Sequence, residues 1–272
     1  MEKDQVRSEF DAQVRRSTTP DGSGAVGERA GPVVRWFKNN GAGWSGVVWS
    51  DLDPGTADAA IADQVAFYAA RGERFEWKLY DYDQPPDLGD RLLAAGFAAE
   101  EPEAFVVAET AQIADALGPA EAILPAGVRL VPVTDEAGVD LLIQVRERVF
   151  GPDDDERWRD TLIRQLRSGP AGAMVVAMAG DEPVCSARID LCPGTDFAGL
   201  WGGGTLPQWR GRGIYRALVA YRARLAAAHG YRYLQVDASP QSRPILERLG
   251  FTCLAVTTPY VWSPGERAAG LT

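Results

Sequence analysis

The sequence predicts an α/β (α+β) protein in which a mixed, mostly antiparallel sheet is flanked by helices and built from two tandem units. Runs rich in β-branched and aromatic residues alternate with segments of helical periodicity along most of the chain. The order helix, glycine, aromatic strand, Asp and Pro connection, helix and Gly-Phe occurs twice, at 66–97 and at 223–251. Generic alternation of helices and strands is the alternative explanation, but the shared Gly-Phe endings favour an internal repeat.

The bulk composition is that of an ordinary globular protein, with 46% hydrophobic and 24% charged residues. Its 272 residues suffice for one large domain or two modest ones. No run approaches the roughly 20 apolar residues that cross a bilayer, and the N-terminus lacks an apolar signal core. We therefore expect a soluble, cytoplasmic protein with no membrane partner, whose oligomeric state the sequence leaves open.

The charged and metal-binding residues exclude several classes of function. A net charge of −10 argues against nucleic-acid binding, which needs clustered lysines and arginines, and it is compatible with a cationic small substrate. Three scattered cysteines provide neither a disulfide framework nor a zinc site. The single histidine, His229, stands where a helix is predicted to end. Histidine-based nucleophilic catalysis and a bound metal are therefore not expected.

The first part of the chain divides into a tail and a small unit. Residues 1–32 combine a short charged segment with a stretch rich in Gly, Pro, Ser and Thr, which predicts a flexible N-terminal segment. Globular patterning begins at Val33 and defines a half-domain at 33–110. Its predicted elements are strands at 33–37, 46–50, 74–80 and 104–109 and helices at 56–72 and 87–97.

The second unit, residues 125–264, is larger and follows the same order. Three consecutive strands at 173–179, 183–191 and 197–205 are joined by tight turns, which predicts an antiparallel arrangement. The other predicted elements are strands at 127–133, 231–237 and 254–262 and helices at 140–150, 156–167, 214–228 and 242–251.

The most informative stretch is TLPQWRGRGIYRAL, residues 205–218, which follows a strand directly and opens a helix. Gly211 and Gly213 allow the backbone to approach a ligand closely, and Arg210 and Arg212 can donate charge-assisted hydrogen bonds to a diphosphate. The first N–H groups of a helix and its dipole favour an anion at the same place. A tight turn with solvent-facing arginines is the alternative, because the spacing is that of neither a P-loop nor a dinucleotide-binding turn.

Together with the order of elements around it, this stretch resembles the GNAT superfamily of N-acetyltransferases over about residues 125–264. The family fingerprint reads Gln or Arg, two residues, Gly, one residue, then Gly or Ala. The match is carried by Arg210, Gly211, Arg212, Gly213 and Ile214, whereas Tyr215 replaces the last small residue. The resemblance implies acetyl-CoA as cosubstrate. The first unit lacks the loop, which implies a degenerate copy that does not bind CoA.

The resemblance also implies further CoA-binding residues. In the family the strand before the loop separates from its neighbour, and the pantetheine arm lies in the gap. By position this implicates Thr205 and Leu206, and the run Gly202–Gly204 is typical of a strand that bulges or admits a ligand closely. An irregular strand end is the alternative. Ser239, where the family often has Asn, can bond the pantetheine, and we add Ser242 to this set.

The proton-transfer residues are less clear. The family often supplies a Tyr as the acid for the departing thiolate, and Leu246 stands at that position, so Tyr215, Tyr260, Ser242 or water must substitute. A base must take the proton of the acceptor ammonium group, whose ordinary pKa is near 10. The candidate bases, in order of preference, are Asp237, Glu147 and Asp190. Each candidate also has a purely structural explanation. Asp237 can cap a turn, Glu147 can form an ion pair on the helix surface, and Asp190 can be an ordinary surface residue of its strand.

These observations predict acetyl transfer from acetyl-CoA to a primary amine of an unidentified small molecule or peptide. Direct attack in a ternary complex is expected because no nucleophile for a covalent acyl-enzyme stands out. A CoA-binding sensor without turnover and a protein-interaction module are the alternatives. The tryptophans of the first unit line an acceptor pocket or belong to the core, and they include Trp36, Trp44, Trp49 and Trp77.

Overall fold

A computed structural model describes residues 2–20, 22–41, 43–151, 158–167 and 172–265. Within these ranges twelve strands form one sheet with helices on both faces, which confirms the predicted fold class. The strands are β1 (Val26–Ala30), β2 (Val33–Phe37), β3 (Gly46–Ser50), β4 (Phe75–Tyr80), β5 (Ala98–Ala99), β6 (Glu103–Glu109), β7 (Val128–Pro132), β8 (Gly172–Ala179), β9 (Glu182–Leu191), β10 (Phe197–Thr205), β11 (Tyr233–Ala238) and β12 (Thr252–Trp262). The helices are α1 (Lys3–Phe10), α2 (Ala57–Arg71), α3 (Leu88–Ala94), α4 (Thr110–Leu117), α5 (Glu136–Phe150), α6 (Trp158–Arg167), α7 (Ile214–Ala228) and α8 (Arg243–Arg248).

The sheet order is β1-β2-β3-β4-β12-β6-β11-β10-β9-β8-β7, with β5 paired to β12 beside this path. Among the described strand pairs, β3–β4 and β10–β11 are parallel and the others are antiparallel. Each parallel pair is connected by one helix, α2 or α7, as a crossover requires. From either end of the sheet, antiparallel outer strands lead inward to a parallel pair and then to an exchanged strand. The N-terminal side has one outer strand fewer than the C-terminal side.

The two halves exchange their last strands. β6 lies against β11 of the second half, with Phe105 opposite Asp237, and β12 lies against β4 of the first half, with Tyr260 opposite Trp77. The halves therefore share one continuous sheet. The boundaries 33–110 and 125–264 stay a prediction for the repeat units.

The two faces of the sheet differ in what covers them. On the first face, α2, α3, α4, α7 and α8 pack on the sheet, and their apolar side chains form its two largest buried clusters. On the second face, α1 contributes Val6 and Phe10, and α5 and α6 cover the strands of the second half with Val139 and Leu162. Because side chains alternate along a strand, the charged residues of β4, β6 and β11 come together on this second face.

The N-terminal segment corrects the prediction that residues 1–32 are flexible. Val6 and Phe10 of α1 are buried, and the Phe10 ring lies 4.4 Å from that of Phe105. Arg15, in a short π-helical turn that continues α1, forms a buried ion pair with Asp83 at 2.7 Å. Val6 and Phe10 are one helical turn apart, so even this charged segment has a narrow apolar stripe. The glycine-rich part that follows forms turns on either side of β1.

Two smaller expectations are also met. The three strands β8, β9 and β10 are antiparallel neighbours. His229 follows the last residue of α7 and its Nδ1 lies 2.9 Å from the Leu225 carbonyl, a role at a helix end as predicted. In the described part of the chain, no helix combines the length and apolar character that a membrane span needs.

Candidate active site

The central feature of the site is a gap between β10 and β11. The two strands pair only from Phe197 to Gly199, opposite Tyr233 to Gln235. β10 then continues to Thr205 along β9 alone, and its register against β9 shifts between Trp201 and Gly204. The strand is thus bulged, as its glycines predict, and one edge of its second half is without a strand partner in the described residues.

Two glycines of the bulge allow side chains to close on the strand. A Cβ on Gly203 would lie 2.9 Å from the ring of Tyr215, and one on Gly204 would lie 2.8 Å from the ring of Phe150. Tyr215 comes from α7 on the first face, and Phe150 is the last residue of α5. A larger residue at either position would push these rings away, so the glycines serve close packing as well as backbone geometry.

The end of β10 is tied into the sheet. The Thr205 hydroxyl lies 3.0 Å from the Sγ atom of the buried Cys185, and the backbone N–H of Leu206 donates to the Val184 carbonyl at 2.9 Å. Leu206 is buried. Its N–H is therefore engaged within the protein, and the predicted contact of Leu206 with a pantetheine arm stays a prediction.

The predicted loop lies between this strand end and α7, and its polar groups face solvent. The Arg210 Nε donates to the Thr205 carbonyl at 3.1 Å, and the Arg212 guanidinium lies 4.8 Å from the centre of the Trp209 ring. Arg210, Gly211 and Arg212 are exposed. The two arginines thus have defined orientations next to the first turn of α7, where backbone N–H groups have no acceptor within the helix.

The backbone of the loop needs its glycines. Gly211 and Gly213 have φ values of +73° and +83°, in the left-handed region that other residues adopt at a cost. Ile214, the first residue of α7, is buried in the core, so only its backbone can face a ligand. Tyr215 is half-buried, and burial raises the pKa of its hydroxyl.

The two predicted serines bond to each other in the turn that precedes α8. The hydroxyls of Ser239 and Ser242 lie 3.2 Å apart, and the Ser242 N–H donates to Ser239 Oγ at 3.3 Å. Both residues are half-buried. Leu246, one turn into α8, is fully buried among apolar side chains. No side-chain acid can therefore act from that position.

Asp237, the preferred candidate base, lies at the end of β11 in an ion pair. Its Oδ2 atom is 2.5 Å from Nζ of Lys78, a residue of β4 in the first half. Its Oδ1 atom is buried without a hydrogen bond. Glu76 and Glu103 also surround the ammonium group of Lys78, with Glu103 at 3.9 Å. We call Glu76, Lys78, Glu103 and Asp237 the carboxylate cluster.

Burial and charge shift the pKa values within the carboxylate cluster. Burial by itself lowers the pKa of Lys78, but Asp237, Glu76 and Glu103 more than offset it, so the net pKa is raised. Burial raises the pKa of Glu76, opposed by Lys78. Burial likewise raises the pKa of Glu103 to about 7, again opposed by Lys78. Glu103 is thus a carboxyl group poised to exchange a proton at neutral pH.

Glu103 and Lys78 were not predicted from the sequence. The available signal was the alternation in RFEWKLY, where Glu76 and Lys78 occupy one face of a strand that is otherwise aromatic. Charged residues on a central strand are costly unless they are paired or functional. Glu103 could not have been found in this way, because its place depends on the exchange of β6 into the other half.

Trp201 connects the carboxylate cluster to the gap. The centre of its indole ring lies 5.9 Å from Lys78 Nζ, within reach of a cation–π interaction. A Cβ on Gly199 would lie 2.6 Å from its Nε1 atom and 2.7 Å from Gln235 Nε2. The indole therefore lies over the point where β10 and β11 separate, on the second face of the sheet.

Other predicted residues lie elsewhere. Tyr260 packs on the first face, where its hydroxyl would lie 2.5 Å from a Cβ on Gly89 of α3, so the structure does not bring it to the loop. Glu147 is exposed on α5, and the neighbouring Arg148 pairs with Glu182 rather than with it. Asp190 lies opposite Gly199 in the sheet, on the second face.

The tryptophans of the first half are mainly structural. Trp77 is fully buried in the core of the first face. Trp49 is buried, with the guanidinium of Arg16 4.6 Å from the centre of its ring. Trp36 and Trp44 stack with ring centroids 5.8 Å apart. Among the residues that the structure describes, no group of three or more histidine, cysteine or acidic residues is arranged to hold a metal ion.

Comparison with known proteins gives one family match. Residues 139–251 match the family model described as the acetyltransferase (GNAT) family. No curated protein sequence matches the chain. The matched segment includes the whole of β10, the loop, α7 and β11.

Solved structures resemble the whole chain. A GCN5-related N-acetyltransferase from Kribbella flavida has a TM-score of 0.67 and 18% identity, covering 97% of this chain and 96% of its own. A tandem GNAT protein from the clavulanic acid biosynthesis pathway has a TM-score of 0.61 and 14% identity, covering 97% of this chain and 94% of its own. A conserved protein of unknown function from Staphylococcus epidermidis has a TM-score of 0.65 and 13% identity, covering 89% and 95%. Likeness at these identities concerns the fold.

Proposed function

We propose that the protein transfers an acetyl group from acetyl-CoA to a primary amine, because residues 139–251 match the family model of the GNAT acetyltransferases. The observation that carries the proposal is the gap between β10 and β11. One end of the open strand leads into the loop of Arg210 and Arg212, and Trp201 on the same strand lies beside Lys78 of the carboxylate cluster. A donor anchored at the loop and an amine held at the cluster would meet along this strand.

The loop is suited to the diphosphate of acetyl-CoA. Arg210 and Arg212 supply two exposed positive charges, and the first N–H groups of α7 supply unpaired donors with the positive end of the helix dipole. Gly211 and Gly213 keep Cβ atoms away from the approach. The hydroxyls of Ser239 and Ser242 are second candidates for contacts to the pantetheine arm.

Proton transfer is assigned to Glu103. An amine attacks only as the free base, so its ammonium proton must first leave. Glu103 has a raised pKa of about 7 and keeps a side chain that is 32% exposed, whereas Asp237 is engaged with Lys78. We assign Glu103 as general base and the pair of Lys78 and Asp237 as positioning residues. Backbone N–H groups of the open edge of β10 would stabilise the oxyanion.

A CoA-binding sensor is the second candidate function. The observation that favours it is the complete burial of Leu246, which leaves α8 without an acid for the thiolate. A sensor would bind acetyl-CoA and hold it without turnover. The primary-amine acceptor and the cytoplasmic location stay predictions in either case.

Calorimetric titration with acetyl-CoA tests the proposal. The Arg210→Ala and Arg212→Ala double variant should bind at least tenfold more weakly than the wild type, a loss of about 1.4 kcal/mol. The matched control is the Arg74→Ala and Arg129→Ala double variant, which removes the same charge from exposed positions outside the site. The control should bind as the wild type does.

Two outcomes decide between the functions. If folded wild type does not bind acetyl-CoA, both the enzyme and the sensor are excluded, and the protein-interaction module remains. If it binds, a screen of amines that follows release of free CoA thiol separates the enzyme from the sensor. The Glu103→Gln variant should then bind acetyl-CoA normally and turn over at least a hundredfold more slowly, as loss of a general base predicts.

A further inference from the structure

A buried arginine lies under the open strand. Arg222 of α7 is 1% exposed. Its Nε donates to the Leu218 carbonyl at 3.0 Å, and its Nη1 donates to the Arg188 carbonyl at 3.1 Å. Its Nη2 is also buried and has no hydrogen bond of ordinary geometry among the described residues; the nearest polar side chain that interacts with the guanidinium is the neutral hydroxyl of Tyr215. Within the described residues, no ion pair or hydrogen bond brings a carboxylate to this guanidinium.

Arg222 is directed at the bulge of β10. Arg188 lies opposite Trp201, at the point where the register between β9 and β10 shifts. The bond from Nη1 to the Arg188 carbonyl therefore links α7 to the bulged segment. The Nη2 atom lies 3.7 Å from the position that a Cβ on Gly203 would occupy. Its two N–H groups are thus next to the half of β10 that has no partner in β11.

The surroundings leave the charge of Arg222 uncompensated. The titratable groups that face it are Tyr215, on the preceding turns of α7, and Cys185, on β9. Burial raises the pKa of Tyr215, and burial raises the pKa of Cys185 to about 11, so both are neutral at pH 7. Burial lowers the pKa of Arg222 itself, but a guanidinium stays protonated in proteins. A buried charge without a counterion is costly, which points to an anion that forms during function.

The proposed reaction generates such an anion. Glu103 first takes the ammonium proton of the amine and passes it to solvent. The free amine nitrogen then forms a bond to the acetyl carbon, its second proton goes to the Glu103 carboxylate, and the C–S bond breaks with its electron pair on sulfur. The thiolate then needs an acid or a positive charge, and Leu246 provides neither. We propose that Arg222 stabilises the CoA thiolate across the β10 bulge, in place of a proton donor. This inference rests on the proposed function. The thiolate leaves as an anion and takes its proton from water. Because Arg222 is buried, it does not touch the sulfur. It acts on the thiolate through the electric field of its positive charge and is in this sense a positioning residue.

The test is a titration of the thiol of bound CoA, followed by the ultraviolet absorbance of the thiolate. In the wild-type complex the thiol should ionise about one pH unit below free CoA, the size expected of a nearby opposite charge. Arg222→Lys should keep part of this shift, and Arg222→Met should lose it. Arg224→Met, which removes a charge from the exposed face of the same helix, should leave the shift unchanged. The complex with S-methyl-CoA, which lacks the thiol, supplies the background.

The results of the thiol titration can be distinguished from a failure of the proposed function. Failure of acetyl-CoA binding in the calorimetric experiment would reject acyl transfer itself. If CoA binds but its thiol ionises at the same pH as free CoA, the role of Arg222 is wrong. An unchanged shift in a folded Arg222→Met variant would reject it as well. If Arg222→Met does not fold, the comparison of bound and free CoA in the wild type still decides.

Discussion

Lys78 and Asp237, which lie 159 positions apart in the chain, form an ion pair of 2.5 Å that joins the two halves of the molecule. Their strands, β4 and β11, are separated in the sheet by the exchanged strands β12 and β6. The Asp237 side chain is 5% exposed and that of Lys78 17%. The pair therefore depends on both halves, and it fixes the carboxylate cluster in place.

Replacement of Lys78 by Met should destabilise the protein by about 3 kcal/mol or more, because it leaves buried carboxylates without their cation. Urea denaturation followed by fluorescence measures the loss. The double variant Lys78→Met with Asp237→Leu should recover a large part of it, since an apolar pair replaces an ionic one. A single variant as stable as the wild type would show that the pair is not buried in solution.

The rate of acetyl transfer should rise with pH through about 7, where Glu103 loses its proton and becomes a base. The pH profile of kcat/KM measures this. Glu103→Gln should remove that limb of the profile. Glu100→Gln, an exposed residue that pairs with Arg74, is the control and should keep it. A limb that persists in the Glu103→Gln variant would assign the titration to another group.

The same carboxyl group should make the folded state less stable as pH rises. Its pKa is raised from 4.5 in the unfolded chain to about 7 in the folded protein, so the folded state binds the proton more tightly. Its contribution to stability is complete below pH 4.5 and is lost as pH rises to about 7. Glu103→Gln should flatten the pH dependence of the free energy of unfolding in this window. An unaltered slope would contradict the raised pKa.

Alanine at Gly213 should cost more stability than alanine at Gly211. Both residues have positive φ, which costs a side chain roughly 1 kcal/mol. At Gly213 the new Cβ would also lie 3.3 Å from the Ile123 carbonyl, whereas nothing lies within 4 Å at Gly211. Thermal unfolding of the two variants measures the difference. Equal melting temperatures would mean that the Ile123 backbone moves aside.

Phe10→Ala should destabilise the whole protein by about 3 kcal/mol, the usual loss for a buried aromatic side chain. The Phe10 ring packs on Phe105 and Phe197 in the centre of the sheet. Chemical denaturation tests this, with the exposed Leu93→Ala as the control. A loss below about 0.5 kcal/mol would restore the expectation of a flexible N-terminal segment.

Most of the secondary structure and the loop of Arg210–Gly213 could be predicted because their signals are local. The strand from 197 to 205 and the helix from 214 to 228 were predicted with the bounds of β10 and α7, since alternation and helical periodicity are read over short windows. Gly211 and Gly213 have the positive φ values that a glycine-rich turn suggests. The N-terminal helix was missed because Val6 and Phe10 alone give too weak a periodic signal.

The residues that we propose for proton transfer could not be predicted in the same way. The sequence indicated Asp237 but not its partner Lys78, because no pattern along the chain relates two positions so far apart. Tyr260 seemed available as an acid, yet its strand places it in the core of the other half. The bond from the Leu206 N–H to the Val184 carbonyl likewise has no signal in the sequence. In each case a long-range pairing decided.

The sequence by itself determined the alternation of elements, the glycine and arginine loop at the start of α7, and the absence of an acid at Leu246. These depend on periodicity, backbone freedom and residue chemistry, which are properties of neighbouring positions. Only the tertiary structure decided that β6 and β12 change places, and that Glu103 and Lys78 of the first half thereby reach Asp237 of the second. Strand exchange depends on pairing across the whole sheet, and its energy is spread over contacts between residues that no local pattern connects.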